Sequence, residues 1–205
     1  MGIKERRERQ KEVLREEILD AARELFAKEG YESVSMRKVA EKIEYSPTTI
    51  YLYFKDKSDL LYSVCEETFE KLLHSFEEIA KHSNDPVECL EEGLRNYIRF
   101  GLTHPNHYKV AFMNRAEDLS LEDISKFISP DSTGTKAYSF LRDIVAECVR
   151  QKKFKEIDPE LVAQSLWASC HGIVALLIIK CHFPWVDKEK LIDHTIKALF
   201  ASLKT

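Results

Sequence analysis

The chain predicts an all-α fold, and three features of the sequence lead there. Only six glycines and six prolines interrupt 205 residues, so long elements are expected. The richness in Leu, Ala, Glu and Lys makes those elements helices rather than strands. Apolar positions then recur at helical spacing along most of the length. With 44% hydrophobic residues the chain can bury a sizeable core, as one domain or two, which argues against a disordered chain. About nine helices are expected.

Residues 11 to 29 place Leu14, Ile18, Ala21, Ala22, Leu25 and Phe26 on one face with charges between them, an amphipathic helix. Gly30 ends it, because a glycine there takes the backbone conformation that a C-cap requires, and Tyr31 folds back on the last turn. Ser35 caps a short second helix, Met36 to about Ile43. Ser46 caps a third, with Pro47 at the first helical position, where its missing N–H costs nothing. Asp56 caps a fourth, with Asp59 as the capping-box acid, running from Lys57 to about Lys81. Three caps this close together produce a compact helix-turn-helix unit followed by a long connector. Breaks at SNDP and THPN precede helices at about Val87–Leu102 and Tyr108–Asn114. Further helices follow at about Thr135–Lys152, Pro159–Cys181 and Lys188–Leu203. Arg115 to Gly134 reads as mostly irregular, with room for one helical turn.

The stretch SPTTIYLYFKDK, Ser46 to Lys57, is unusual for a core helix. Ile50 and Phe54, four apart, share one face with Leu61 and the second helix. Pro47, Thr48, Thr49, Tyr51 and Tyr53 therefore fall at the start and on the outer side, where a hydrophobic core has no use for their hydroxyls. Threonine methyls and hydroxyls suit base edges in a major groove, tyrosine hydroxyls donate to phosphate oxygens, and Lys55 and Lys57 add charge. The helix amino terminus itself attracts phosphate.

The segment SVSMRKVAEKIEYSPTTIYLYFKDKSDLL closely resembles the signature of the TetR family of transcription regulators: a small-residue N-cap, an aliphatic–Ala pair, a turn with Ser, and a Thr–aliphatic–Tyr–x–aromatic–Phe helix leading through Lys into the connector. The resemblance covers roughly Leu14 to Leu61. It implies a DNA-binding domain over 1–57 and a ligand-binding and dimerisation domain over 58–205. It further implies that Ser35 and Arg37 touch the backbone or groove edge, that Pro47, Thr48 and Thr49 face bases, and that Tyr51, Tyr53 and Lys57 hold phosphates. A plainer reading stands beside several of these: Tyr51 packed against the first helix, Arg37 in a surface ion pair, Lys57 covering the connector's first turn. One position departs from the family. Glu44 stands where it usually has Gly, so this residue must accept a left-handed conformation or the turn must change.

The net charge of −4 hides an asymmetry: residues 1–57 carry 13 basic and 12 acidic side chains, and residues 58–205 carry 18 and 23. Six basic against three acidic residues in Met1–Arg15 make a solvated arm, or give Arg6, Arg7 and Arg9 a minor-groove or backbone role. Five cysteines without a CxxC pair fit reduced thiols in the cytoplasm, and the amino terminus has no secretory apolar region. Leu161–Ile179 is uncharged and long enough to cross a bilayer, but polar residues in its first half and the lack of a basic anchor favour a buried or interface helix.

Proteins that read DNA with one short helix per chain act as two-fold dimers with reading helices about 34–36 Å apart. A stripe of Leu161, Ser165, Ala168, Gly172, Ala175 and Ile179, joined by Ile192, Ile196, Leu199 and Leu203 of the last helix, is the expected four-helix dimer interface with a second copy; burial against its own chain is the alternative. Trp167 and His171, on the face expected to lie opposite, form a Trp-x-x-x-His-Gly run that resembles one carboxy-terminal TetR subgroup. The resemblance implies a small-molecule effector site, near which Phe69, Phe76, Tyr97 and Phe100 are expected with Tyr108, Phe112, Met113, Trp167 and His171, although each also serves as plain core. No cofactor, metal or catalytic site is expected. His104 and His107 have Pro105 between them and no nearby thiolate or carboxylate pair, and Cys170 and His171 point about 100° apart on a helix.

Overall fold

The computed structural model describes residues 2–113 and 119–204, so Met1 and the part of the chain around Asn114 and Arg115 lie outside the described residues. The described residues form ten α-helices in order: α1 (Ile3–Glu29), α2 (Met36–Lys42), α3 (Pro47–Tyr51), α4 (Lys57–His82), α5 (Pro86–Thr103), α6 (Pro105–Phe112), α7 (Leu121–Phe127), α8 (Thr133–Arg150), α9 (Pro159–Ile179) and α10 (Lys188–Leu203). The described residues contain no strand; Phe154 and Lys204 form an isolated bridge.

The expected caps form. Ser35 Oγ accepts from Lys38 N at 3.2 Å and Ser46 Oγ from Thr49 N at 3.2 Å. Asp56 accepts from Asp59 N at 2.9 Å, whereas the Asp59 carboxylate accepts from Lys55 N at 2.8 Å, one residue before the N-cap that a capping box would use. Gly30 has φ 79° and donates its N–H to Phe26 O at 3.0 Å, with the Tyr31 ring 5.9 Å from that of Phe26. Two elements differ from the sequence reading. α1 begins at Ile3 rather than near residue 11, and α7 occupies a segment expected to be mostly irregular. Ser120 caps α7 by accepting from Asp123 N at 3.1 Å.

The chain divides into two compact units: residues 1–68 with 106–132, and residues 69–105 with 133–205. The first contains the head expected over 1–57, and adds the start of α4 with most of α6 and all of α7. Its core is Ile18, Leu19, Ala22 and Phe26 of α1, Met36, Val39 and Ala40 of α2, Ile50 and Phe54 around α3, and Leu60, Leu61 and Val64 of α4, all buried. The buried Arg23 guanidinium bonds to Asp20 and Glu67, tying α1 to α4. Lys38–Glu29 and Lys42–Glu24 ion pairs tie α2 to α1.

In the second unit α5, α8 and α9 pack against one another and α10 packs on α5. Arg95 on α5 donates to Asp193 on α10 at 2.5 Å and to Glu91 at 3.0 Å. The buried face of α9 is Val162, Ala163, Leu166, Cys170, Val174 and Leu177. By length and composition this helix passes as a membrane span, yet one side of it is covered by the protein's own core.

Candidate nucleic-acid interface

α3 is only five residues long, too short to be stable by itself, and is held by two anchors. Ile50 is fully buried, and Phe54 just past the helix is 2% exposed, with the Arg15 guanidinium 5.6 Å from its ring centre. With that side fastened, Pro47, Thr48, Tyr51 and Leu52 face outward and are exposed. Thr49 is half-buried and its hydroxyl lies 2.9 Å from Ser46 Oγ. Tyr53 is half-buried, facing α1. Ser35 and Arg37 are exposed at the start of α2, where Ser35 is occupied as the cap and Arg37 Nε donates to Glu41 at 2.9 Å. That ion pair is fully in solvent and of little energetic weight, so it restrains the guanidinium weakly. Lys57 is more committed. Its ammonium donates to Tyr31 O at 2.9 Å and lies 4.0 Å from the centre of the Tyr31 ring. Both cations of the set are thus engaged by their own chain, Arg37 by an exposed carboxylate and Lys57 by a backbone carbonyl and an aromatic ring.

Two further side chains near α3 are exposed and were not among the expected contacts, Leu52 at 75% and Tyr45 at 46%. The signal was present: Leu52 falls on the outward side as soon as Ile50 and Phe54 are assigned inward, and an apolar side chain left in water beside two threonines suits a thymine methyl.

Glu44 settles the turn by accepting φ 60°, the conformation a glycine would take. Tyr45 N bonds back to Ala40 O at 3.0 Å, so the α2–α3 turn closes with the non-glycine residue in place. The strain is local, of order 1 kcal/mol. Glu44→Gly is therefore expected to raise the melting temperature by roughly 2–4 °C without changing helix content, measured by circular dichroism.

The nine residues expected near an effector divide between the units. Tyr108, fully buried, Phe112 and Met113 belong to the first, where the Tyr108 and Phe112 rings are 4.7 Å apart. In the second, Trp167 Nε1 donates to the Tyr97 hydroxyl at 3.1 Å, and its ring is 5.8 Å from that of Tyr138, whose hydroxyl donates to Glu160 at 2.5 Å. Burial, then this bond, pushes the Tyr138 phenol up to about 12. Phe76 stacks on Phe140 at 6.0 Å, Phe69 lies against Gly134, and Phe100 is 5.1 Å from His104. Burial holds the His171 imidazole below its ordinary value. Tyr138, Phe140 and Glu160 were not anticipated, because their roles depend on which helix faces which.

The six α9 residues of the expected dimer stripe are exposed or half-buried: Leu161 at 57%, Ser165, Ala168, Gly172, Ala175, and Ile179 at 61%, with Leu176 beside them at 49%. Ile192 and Ile196 differ from expectation. At 2% and 0% exposure they are covered by their own chain and cannot face a second copy, whereas Leu199 and Leu203 are half-buried. Trp167 and His171 also sit on the shoulder of α9, between the stripe and the buried face, rather than opposite the stripe; with 100° per residue the opposite side belongs to Leu166, Cys170 and Leu177. The Cys170 thiol is buried and pushed up to about 12, so it is protonated and a poor nucleophile near neutral pH.

A short outward-reading helix, seated by a turn on a second capped helix and braced by a third, defines a helix-turn-helix DNA-binding module with an attached helical domain. Residues 18–64 match the model of the bacterial regulatory proteins of the tetR family, and residues 90–199 match that of the tetracyclin repressor-like C-terminal domain. The chain belongs to the TetR family. Neither match names a Trp–His–Gly subgroup, and that assignment rests on the motif alone. An HTH-type transcriptional regulator of Staphylococcus aureus (strain MRSA252) is 31% identical over 90 residues, 44% of this chain and 49% of its own length. The chain thus matches about half the length of such curated relatives. Among solved structures, the transcriptional regulator FadR from Bacillus subtilis, in complex with stearoyl-CoA, aligns with a TM-score of 0.78 and 23% identity over 91% of this chain and 97% of that one. PfmR, a TetR family regulator from Thermus thermophilus, aligns with a TM-score of 0.71 and 22% identity over 92% and 96%.

Proposed function

We propose that the protein is a cytoplasmic, homodimeric transcription repressor that binds a palindromic operator and is released by a small-molecule effector held in the second unit. The observation that carries the reading is the outward face of Pro47, Thr48, Tyr51 and Leu52 on a helix anchored by Ile50 and Phe54. Dimerisation is supported by the open apolar stripe on α9, which burial against a second copy would remove from water. The effector site is supported by the aromatic group around Trp167, Tyr97 and Tyr138, which offers rings together with hydroxyl and carboxylate partners.

Coupling runs through α4, which belongs to both units: Lys57–Thr68 to the first and Phe69–His82 to the second. In the first unit α6 is tied to it, with Thr68 Oγ1 3.1 Å from His107 Nδ1 and Cys65 Sγ 3.8 Å from Val110 O. An effector that binds one disposition of α4 better than the other shifts the heads between DNA-competent and released states.

A mobility-shift titration on the DNA upstream of the protein's own coding region tests the reading. Affinity is expected to fall about 1000-fold between 50 and 200 mM salt, as several phosphate contacts dictate. Stearoyl-CoA, the ligand of the B. subtilis FadR structure, is the first effector to try and is expected to release the DNA. Absence of any salt-sensitive affinity overturns the function; release by other compounds alone overturns only this choice of effector.

A further inference from the structure

We propose that the first turns of α1 form a second DNA-contact surface, in which Arg7, Arg9 and Lys11 hold backbone phosphates beside the segment that α3 reads. The inference rests on the operator-binding reading above and adds a site to it. From Lys4 to Val13 every side chain is exposed, so these three turns, about 15 Å of helix, project beyond the packed head. A helix with no core contact over that length gains nothing from burial.

The direction of the cations is the decisive feature. Along α1 the face that buries Ile18, Ala22 and Leu25 continues outward through Leu14 to Lys11 and Arg7, at the i, i+3, i+4 and i+7 spacing of a single stripe. Where the hydrophobic core stops, the same side of the helix becomes cationic. Lys11 and Arg7 consequently face the side on which the rest of the head lies, whereas Arg9, two residues from each, starts from the other side of the helix and borders the groove with its long side chain. Arg7, Arg9, Gln10, Lys11, Leu14 and Glu17 line one wall of an open groove of about 530 Å³, and Tyr45 and Tyr53 line the other. Tyr45 immediately precedes the Ser46 cap of α3 and Tyr53 follows its last turn, so the groove borders the reading helix at both ends.

Arg7, Arg9 and Lys11 form no ion pair or side-chain hydrogen bond among the described residues. Glu17, at the inner end, is the one carboxylate among the described residues of the groove wall. Three unpaired cations and two phenols beside a base-reading surface constitute a site for phosphate oxygens, which take charge from Arg and Lys and hydrogen bonds from Tyr. Phosphate contacts carry no sequence information, so this surface contributes affinity and register rather than choice of operator.

The test compares the full-length protein with an Arg7→Gln, Arg9→Gln, Lys11→Gln variant, titrating the upstream DNA and an unrelated duplex of equal length at several salt concentrations. The variant is expected to bind both at least tenfold more weakly at 150 mM salt. Its slope of log affinity against log salt should be shallower by about 0.9 for every phosphate released, and the ratio between the two DNAs should stay within about twofold. An Arg7→Lys, Arg9→Lys variant keeps the charge and should keep the wild-type slope; a drop there as large as in the neutral variant overturns the electrostatic role. An unchanged slope in the neutral variant, with the wild type binding normally, overturns the arm alone. A wild type without salt-sensitive binding overturns both the arm and the proposed function. Preference for the upstream DNA lost together with affinity shows that the arm reads sequence, which also overturns the proposal.

Discussion

A Thr48→Ala, Tyr51→Phe variant is expected to lose roughly 1000-fold in affinity for the upstream DNA while folding as the wild type does. Both side chains stand in solvent on the outward face of α3. In the dimer–operator complex proposed above, each exchange would remove one contact to base or phosphate worth about 1 kcal/mol, and two heads would double the loss to about 4 kcal/mol, or close to three decades in the dissociation constant. Neither residue is part of the core, so stability should change by no more than about 0.5 kcal/mol per substitution. Circular dichroism melting beside a binding titration separates the two effects. A loss of less than tenfold, with the fold intact, would mean that this face does not read the operator.

Arg23→Ala is expected to act on the opposite property. Arg23 is 6% exposed and its guanidinium joins Asp20 on α1 to Glu67 on α4, with Glu67 itself only 17% exposed at its side chain. Truncation leaves the Glu67 carboxylate poorly solvated and without this cation, and opens a void under the α1–α4 contact. Breaking such a pair from one side costs about 3 kcal/mol, which for a chain of this size lowers the melting temperature by roughly 6–12 °C. Glu67→Gln keeps a hydrogen-bond acceptor for the arginine and should cost less than half as much. Equal melting temperatures for Arg23→Ala and the wild type would show that the pair is dispensable.

What could be read from the sequence was what is decided locally. Ser35, Ser46–Pro47 and Asp56–Asp59 mark helix starts within a few residues, and each cap bond appears where it was expected. The outward placement of Pro47, Thr48 and Tyr51 followed from placing Ile50 and Phe54 inward, whereas Thr49 and Tyr53, expected outward as well, are half-buried. The basic arm before residue 15 is legible in the sequence, but its helical state is not: between Lys4 and Val13 there is little apolar periodicity to detect, and helix there depends on the propensities of Glu, Arg, Lys and Gln. α7 escaped because none of its residues is buried, although Ser120 and Asp123 carried a cap signal. Ile192 and Ile196 were placed on the wrong surface because an apolar stripe looks the same whether it faces its own chain or another. The Trp167–Tyr97 and Tyr138–Glu160 bonds join residues far apart in the chain, and only tertiary packing brings them together.

α4 has 26 residues and so extends about 39 Å. Treated as a stiff rod, it works as a lever: a tilt of about 5° at the His82 end carries the Lys57 end through roughly 3 Å. That travel is comparable to the length of a hydrogen bond, enough to pull a hydroxyl away from a base edge. In the regulator proposed above, a small rearrangement around a bound effector would therefore be amplified into loss of grip without any helix unfolding.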